Sequence, residues 1–116
     1  MNAPPNDMHP NALADVFRTE AEKLGLKVTV FGKKELEKKG MELFLAVNRG
    51  SAIEPRMVHV AYEPERATKK VAFVGKGLTF DSGGLCIKPP KSMDTMKCDM
   101  AGAAATIGIV LAAARL

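Results

Sequence analysis

Apolar positions recur along this chain with two different periods. Leu13, Val16, Phe17, Ala21 and Leu24 fall three and four residues apart, which predicts a helix with one apolar face. Pro10 suits its first position, where a missing N–H costs nothing, and Gly25 suits its end. "LKVTVF" (26–31) carries β-branched residues and predicts a strand. "KKELEKK" (33–39) predicts a short polar helix, with Glu35 supporting Lys39 one turn on and Gly40 ending it. "MELFLAV" (41–47) and "RMVHVAY" (56–62) are apolar runs of strand length, joined by the turn-forming "NRGSAIEP" and closed by Pro64. "KKVAFVG" (69–75) is apolar on both faces, as in a strand covered on both sides.

The last segment, "DMAGAAATIGIVLAAARL" (99–116), predicts a helix that is apolar all round and therefore buried all round. The element order implies an α/β fold, a mixed sheet with helices on both faces. A chain of 116 residues supplies few layers to cover that last helix. The expectation is that residues 1–116 are the first part of a larger domain, incomplete as a fragment.

Composition narrows the classes of function. The chain is 47% hydrophobic and 26% charged, which is globular rather than disordered. Its net charge of +4 is dispersed. The densest basic cluster, Lys33, Lys34, Lys38 and Lys39, is interrupted by Glu35 and Glu37, as on a solvated helix face rather than a nucleic-acid stripe. Five Phe and one Tyr do not make a base-stacking platform. No apolar run approaches the length of a membrane span, and "MNAPPNDMHP" lacks the regions of a secretory signal, so a cytoplasmic location is expected. Cys86 and Cys98 fit neither a C-x-x-C pair nor a zinc knuckle, and two unbridged thiols are expected.

Candidate chemistry gathers in "FVGKGLTFDSGGLCIKPP" (73–90), where the last apolar run breaks into glycines. Ligands of α/β sheets bind beyond the carboxyl ends of strands, and Lys76 and Asp81 fall there. "GKG" lacks the spacing of a phosphate-binding loop, so nucleotide binding is a weak third reading. Each charged residue has an ordinary role open to it. Lys76 and Lys88 could be solvated, Asp81 could bond the backbone of its own "DSGG" turn, and Asp99 could cap the last helix. Together, however, all four converge on one strand end and one helix start. Asp81 and Asp99 can offer hard oxygen ligands to a divalent cation. A lysine beside such a cation can lose its proton and ligate, while a second stays charged and polarises a carbonyl.

"VGKGLTFDSGGLCIKPPKSMDTMKCDMAGAAA" (74–105) resembles the signature region of the leucyl aminopeptidase family, cytosolic two-metal enzymes. "NAPPNDMHPNALA" (2–14) resembles the segment that opens that family's catalytic domain. The resemblance implies removal of N-terminal residues from peptides, two divalent ions (Zn or Mn) and a homo-oligomer, usually a hexamer. Lys76 would ligate one metal, Asp81 would bridge both, and Asp99 would ligate the lysine-bound one. Lys88 would polarise the scissile carbonyl. The chain departs from the family in three respects. Residues 1–116 are expected to lack the family's N-terminal regulatory domain, His9 stands where a small capping residue is usual, and within these residues no acidic residue follows Asp99 to match the family's later N-T-D-A-E-G-R motif. Half of the implied metal shell is therefore missing, and little or no peptidase activity is expected of these residues alone. The competing reading is a non-catalytic binding or assembly module.

Overall fold

The structure, a computed structural model, describes residues 2–116. α1 (Pro10–Glu22) starts on His9, whose Nδ1 accepts the Ala12 N–H at 3.4 Å, with Pro10 in the first turn. It lies across two antiparallel strands, β1 (Lys27–Phe31) and β2 (Met57–Ala61), paired from Lys27 opposite Ala61 to Phe31 opposite Met57. Leu13, Ala14 and Ala21 are buried beneath it. Val16 stays exposed, because at about 100° per residue it falls on the flank of the stripe centred on Leu13, Phe17 and Leu24. Burying a leucine such as Leu13 contributes about 1.5–3 kcal/mol, so this layer anchors the small core.

Between the strands the chain forms α2 (Lys33–Lys38) and α3 (Glu42–Asn48). Leu36 of α2 is fully buried. Glu35 does not pair with Lys39 as its spacing suggests. Its Oε2 accepts the Gly32 N–H at 3.1 Å, which caps α2, and Lys39 Nζ sits 4.8 Å from the centre of the Phe31 ring.

The α/β class stands, but the sheet is smaller than expected. Among the described residues it holds two antiparallel strands, not a mixed set. Two of the expected strands do not form. "MELFLAV" is α3: an apolar run this short does not distinguish helix from strand, its Met, Leu and Ala favour helix, and Glu42 complements the positive helix start. "KKVAFVG" has no regular structure, because no neighbouring strand satisfies its backbone. Its Val71 and Val74 are 75% and 95% exposed.

The chain then runs through a glycine loop, α4 (Pro90–Met93), a 3₁₀ turn (Met96–Cys98) and α5 (Ala101–Ala113). α5 was expected to be buried all round. It instead touches α1 and β2 on one side and presents Ala105, Gly108, Ile109 and Ala112 to solvent. Contrary to the sequence reading, the stretch Pro90–Ala113 is long and apolar enough to cross a membrane by length and composition alone. The 3₁₀ turn divides it, however, and α5 by itself spans about 20 Å, short of the roughly 30 Å hydrocarbon layer.

The radius of gyration is 15.3 Å, against about 13 Å for a compact chain of this length. The accessible surface is 8451 Å², against about 6,100 Å² for a folded monomer of this mass. Much apolar surface that a closed domain would cover is therefore open.

Candidate functional site

The four charged residues singled out in the sequence form two ion pairs. Lys76 Nζ lies 2.9 Å from Asp99 Oδ1, and Lys88 Nζ lies 2.9 Å from Asp81 Oδ2. Lys88 Nζ also donates to the Asp81 carbonyl at 3.2 Å.

A tight reversal of the chain builds the second pair. Asp81 Oδ1 accepts the Gly83 N–H at 2.8 Å, so the ordinary turn-forming role of this aspartate is realised. Gly83 and Gly84 follow with φ of +104° and +79°, conformations that glycine adopts without strain. A Cβ on Gly83 would lie 2.3 Å from the Cys86 carbonyl oxygen and 3.0 Å from the Lys88 nitrogen. The chain thus returns on itself, and the Lys88 N–H donates to the Ser82 carbonyl at 2.8 Å. Neither Cys86 nor Cys98 enters a disulfide, as expected.

The first pair depends on the start of α5. Asp99 does not cap that helix; Met100 occupies the cap position and is buried. Asp99 ends the preceding 3₁₀ turn, from which its carboxylate reaches Lys76. The helix is capped instead by main chain, because the Lys76 carbonyl accepts the Ala103 N–H at 2.8 Å. Lys76 therefore grips the 99–103 segment twice, by its carbonyl and by its amine. The approach is close. A Cβ on Gly75 would lie 2.6 Å from Ala103 Cα, the Gly102 carbonyl oxygen and Thr106 Oγ1, and one on Gly102 would lie 3.1 Å from the Lys76 nitrogen. Sequence reasoning missed this contact because it followed charges. Its signal was a glycine on each side, in "VGKG" and "DMAG".

The two pairs share one electrostatic field. The hydrogen bond to Asp99 holds the Lys76 amine above the ordinary lysine range against the opposing cost of desolvation, with the charges of Asp99 and Asp81 adding to it. The Asp81 carboxyl is held below the usual carboxylate range, first by the bond from Lys88, then by the Gly83 N–H, with the charge of Lys76 contributing. Lys76 is thus a cation here rather than a neutral amine.

The donor set is compatible with a cation as part of a shell. Asp99 Oδ2 is buried without a hydrogen-bond partner, and a carboxylate oxygen withdrawn from water favours a positive neighbour. Among the described residues no group of three or more His, Cys, Asp or Glu side chains is gathered in a metal-holding arrangement. A divalent ion at Asp81 or Asp99 would compete with a lysine ammonium for the same oxygens.

In this α/β chain two lysines and two aspartates thus meet, as two ion pairs, around one glycine loop and one helix start. The chain belongs to the cytosol aminopeptidase family: the profile of that family's catalytic domain matches residues 1–116. It is 51% identical over 116 residues to a probable cytosol aminopeptidase of Streptomyces coelicolor, covering 100% of this chain and 22% of the relative. Its fold matches the apo leucyl aminopeptidase of Trypanosoma cruzi with a TM-score of 0.92 at 41% identity, over 98% of this chain and 22% of that one. It matches the bottromycin maturation enzyme BotP in complex with Mn with a TM-score of 0.86 at 40% identity, over 98% of this chain and 25% of that one. The chain thus spans between a fifth and a quarter of the length of these relatives.

Proposed function

We propose that residues 1–116 supply one part of the active site of a metal-dependent aminopeptidase that releases N-terminal residues, leucine among them, from peptides. The observation that carries this reading is the buried, unpartnered Asp99 Oδ2 beside Lys76, in a chain of the cytosol aminopeptidase family. Asp81, Asp99 and Lys76, the last only after releasing its ammonium proton to solvent, would hold two divalent ions, Zn or Mn, together with ligands from outside this segment. The Mn present in BotP supports that choice of metal. When bound, such ions supply Lewis acidity and acidify water.

The chain's own residues do the rest. Lys88 is the catalytic residue: its ammonium would leave Asp81, turn to the scissile carbonyl and stabilise the negative charge that develops on its oxygen. It can turn because, among the described residues, its ammonium is held by the Asp81 carboxylate and carbonyl at the mouth of the loop. Asp81, freed of Lys88, would then face the cation. The glycine turn at 83–84 keeps both residues on one short loop. A cytoplasmic location and a hexameric homo-oligomer accompany this reading through the family.

The test is hydrolysis of leucine anilide with Mn or Zn added. The 116-residue chain alone should show little or no turnover, since its carboxylates amount to half a shell. In the complete polypeptide that carries these residues, Lys88→Ala should lower kcat by about 10²–10³-fold, the usual effect of losing one oxyanion donor, and leave Mn binding intact. Turnover by the 116 residues near that of a full-length relative, abolished by Lys88→Ala, would overturn this account of the site. The open surface favours one second reading, a binding or assembly module without catalysis. A complete polypeptide with no turnover under any metal would support that reading.

A further inference from the structure

We propose that Gly102 is a positioning residue for the cation site, acting through Lys76. This rests on the assignment of Lys76 and Asp99 as cation ligands and extends it to the contact that places them. Gly102 lies in the first turn of α5, and the Lys76 main chain runs directly against it. A Cβ there would sit 3.1 Å from the Lys76 nitrogen and 3.2 Å from its carbonyl oxygen. That carbonyl is the acceptor for the Ala103 N–H at 2.8 Å. The amine of the same residue meets Asp99 at 2.9 Å, and Asp99 leads into the same helix. The bare edge of Gly102 therefore sets how closely Lys76 can dock on α5, and with it the separation between the Lys76 amine and the Asp99 carboxylate. Gly75 holds the other side of the contact, but a Cβ on it would lie 2.6 Å from main-chain atoms, too close for an informative substitution.

Gly102 permits a clean test because it lies inside a helix. Alanine there improves helix propensity while displacing Lys76 by a few tenths of an ångström. Gly108 provides the control: it lies in the same helix, and a Cβ on it would meet nothing within 4 Å. Mn(II) binding is measured by titration calorimetry on the complete polypeptide that carries these residues, with the EPR line shape of bound Mn(II) as a second readout. Thermal melting is recorded without metal. Gly102→Ala should weaken Mn(II) binding by about 10–100-fold, the usual cost of disturbing a group that orients a ligand. It should also alter the EPR line shape while melting no lower than wild type. Gly108→Ala should leave both Mn(II) readouts unchanged.

Asp99→Asn separates ligation from positioning. If Asp99→Asn binds Mn(II) as tightly as wild type, the ligand assignment fails. If Asp99→Asn loses affinity and Gly102→Ala behaves like Gly108→Ala, the ligand assignment stands and the positioning role of Gly102 is refuted. Should Gly102→Ala fail to fold, Gly77→Ala takes its place, because a Cβ at Gly77 would press on Ala103 Cβ at 3.2 Å from the same loop. Weaker Mn(II) binding in Gly77→Ala than in Gly108→Ala supports the proposal, and equal binding overturns it.

Discussion

Alanine substitutions at Gly83 and Gly84 would probe the loop that carries Asp81 and Lys88, and the structure separates their costs. Both residues have positive φ, +104° and +79°. Nothing stands within 4 Å of a Cβ on Gly84, so Gly84→Ala adds only the backbone penalty of the left-handed region, about 1–2 kcal/mol. Gly83→Ala bears that penalty and a Cβ placed 2.3 Å from the Cys86 carbonyl oxygen and 3.0 Å from the Lys88 nitrogen. The contact cannot be relieved without moving Lys88 away from Ser82, which removes a hydrogen bond worth about 0.5–1.5 kcal/mol. The local cost is then about 1.5–3.5 kcal/mol. At about 1.4 kcal/mol per factor of ten, loop opening should increase about 5–30-fold in Gly84→Ala and about 10–300-fold in Gly83→Ala. Amide hydrogen exchange at Lys88 reads this opening directly, because its N–H is bonded across the loop to Ser82 at 2.8 Å. Equal exchange in the two variants would refute the claim that the Gly83 contact holds Lys88 against Asp81.

Other expectations follow from burial, charge and thiol state. Leu36 is fully buried and Leu43 is 87% exposed, so Leu36→Ala should destabilise by about 2–5 kcal/mol and Leu43→Ala by less than about 0.5 kcal/mol, as read from urea midpoints; similar shifts would contradict the placement of α2 and α3. In the metal-free chain the Asp81 carboxyl is held low by Lys88, so its hold on the loop is complete above the unfolded carboxylate value of about 3.9. That hold is lost only as pH falls through the depressed folded value. The Gly83 amide resonance should therefore titrate below the ordinary carboxylate range, and a midpoint within or above that range would show that the pair does not form in solution. Thiol titration of the unreduced, denatured chain should find both Cys86 and Cys98 as sulfhydryls, and finding neither would contradict the structure.

Local chemistry determined the parts of this chain that were legible from its residues. α1 was readable because Pro10, a three-to-four spacing and Gly25 mark its start, face and end. β1 and β2 were readable from their β-branched residues, and α2 from its polar composition and the glycines on either side of it. The charged residues of the loop were also legible, since Lys76, Asp81, Lys88 and Asp99 stand out among glycines. Tertiary structure decided the rest. "MELFLAV" became α3 because a seven-residue apolar run fits either element, and among the described residues the sheet offers it no strand to pair with while its Met, Leu and Ala favour helix. "KKVAFVG" remained irregular because a strand exists only when another backbone satisfies its N–H and C=O groups, and none does so within the described residues. The choice of partners among the four charges was likewise invisible in one dimension. Spacing brings lysine and aspartate near each other, but which amine meets which carboxylate depends on where the chain reverses at Gly83 and how closely Lys76 docks on α5 at Gly102. The first is a local turn of the backbone; the second is a distance between segments remote in sequence, which packing sets.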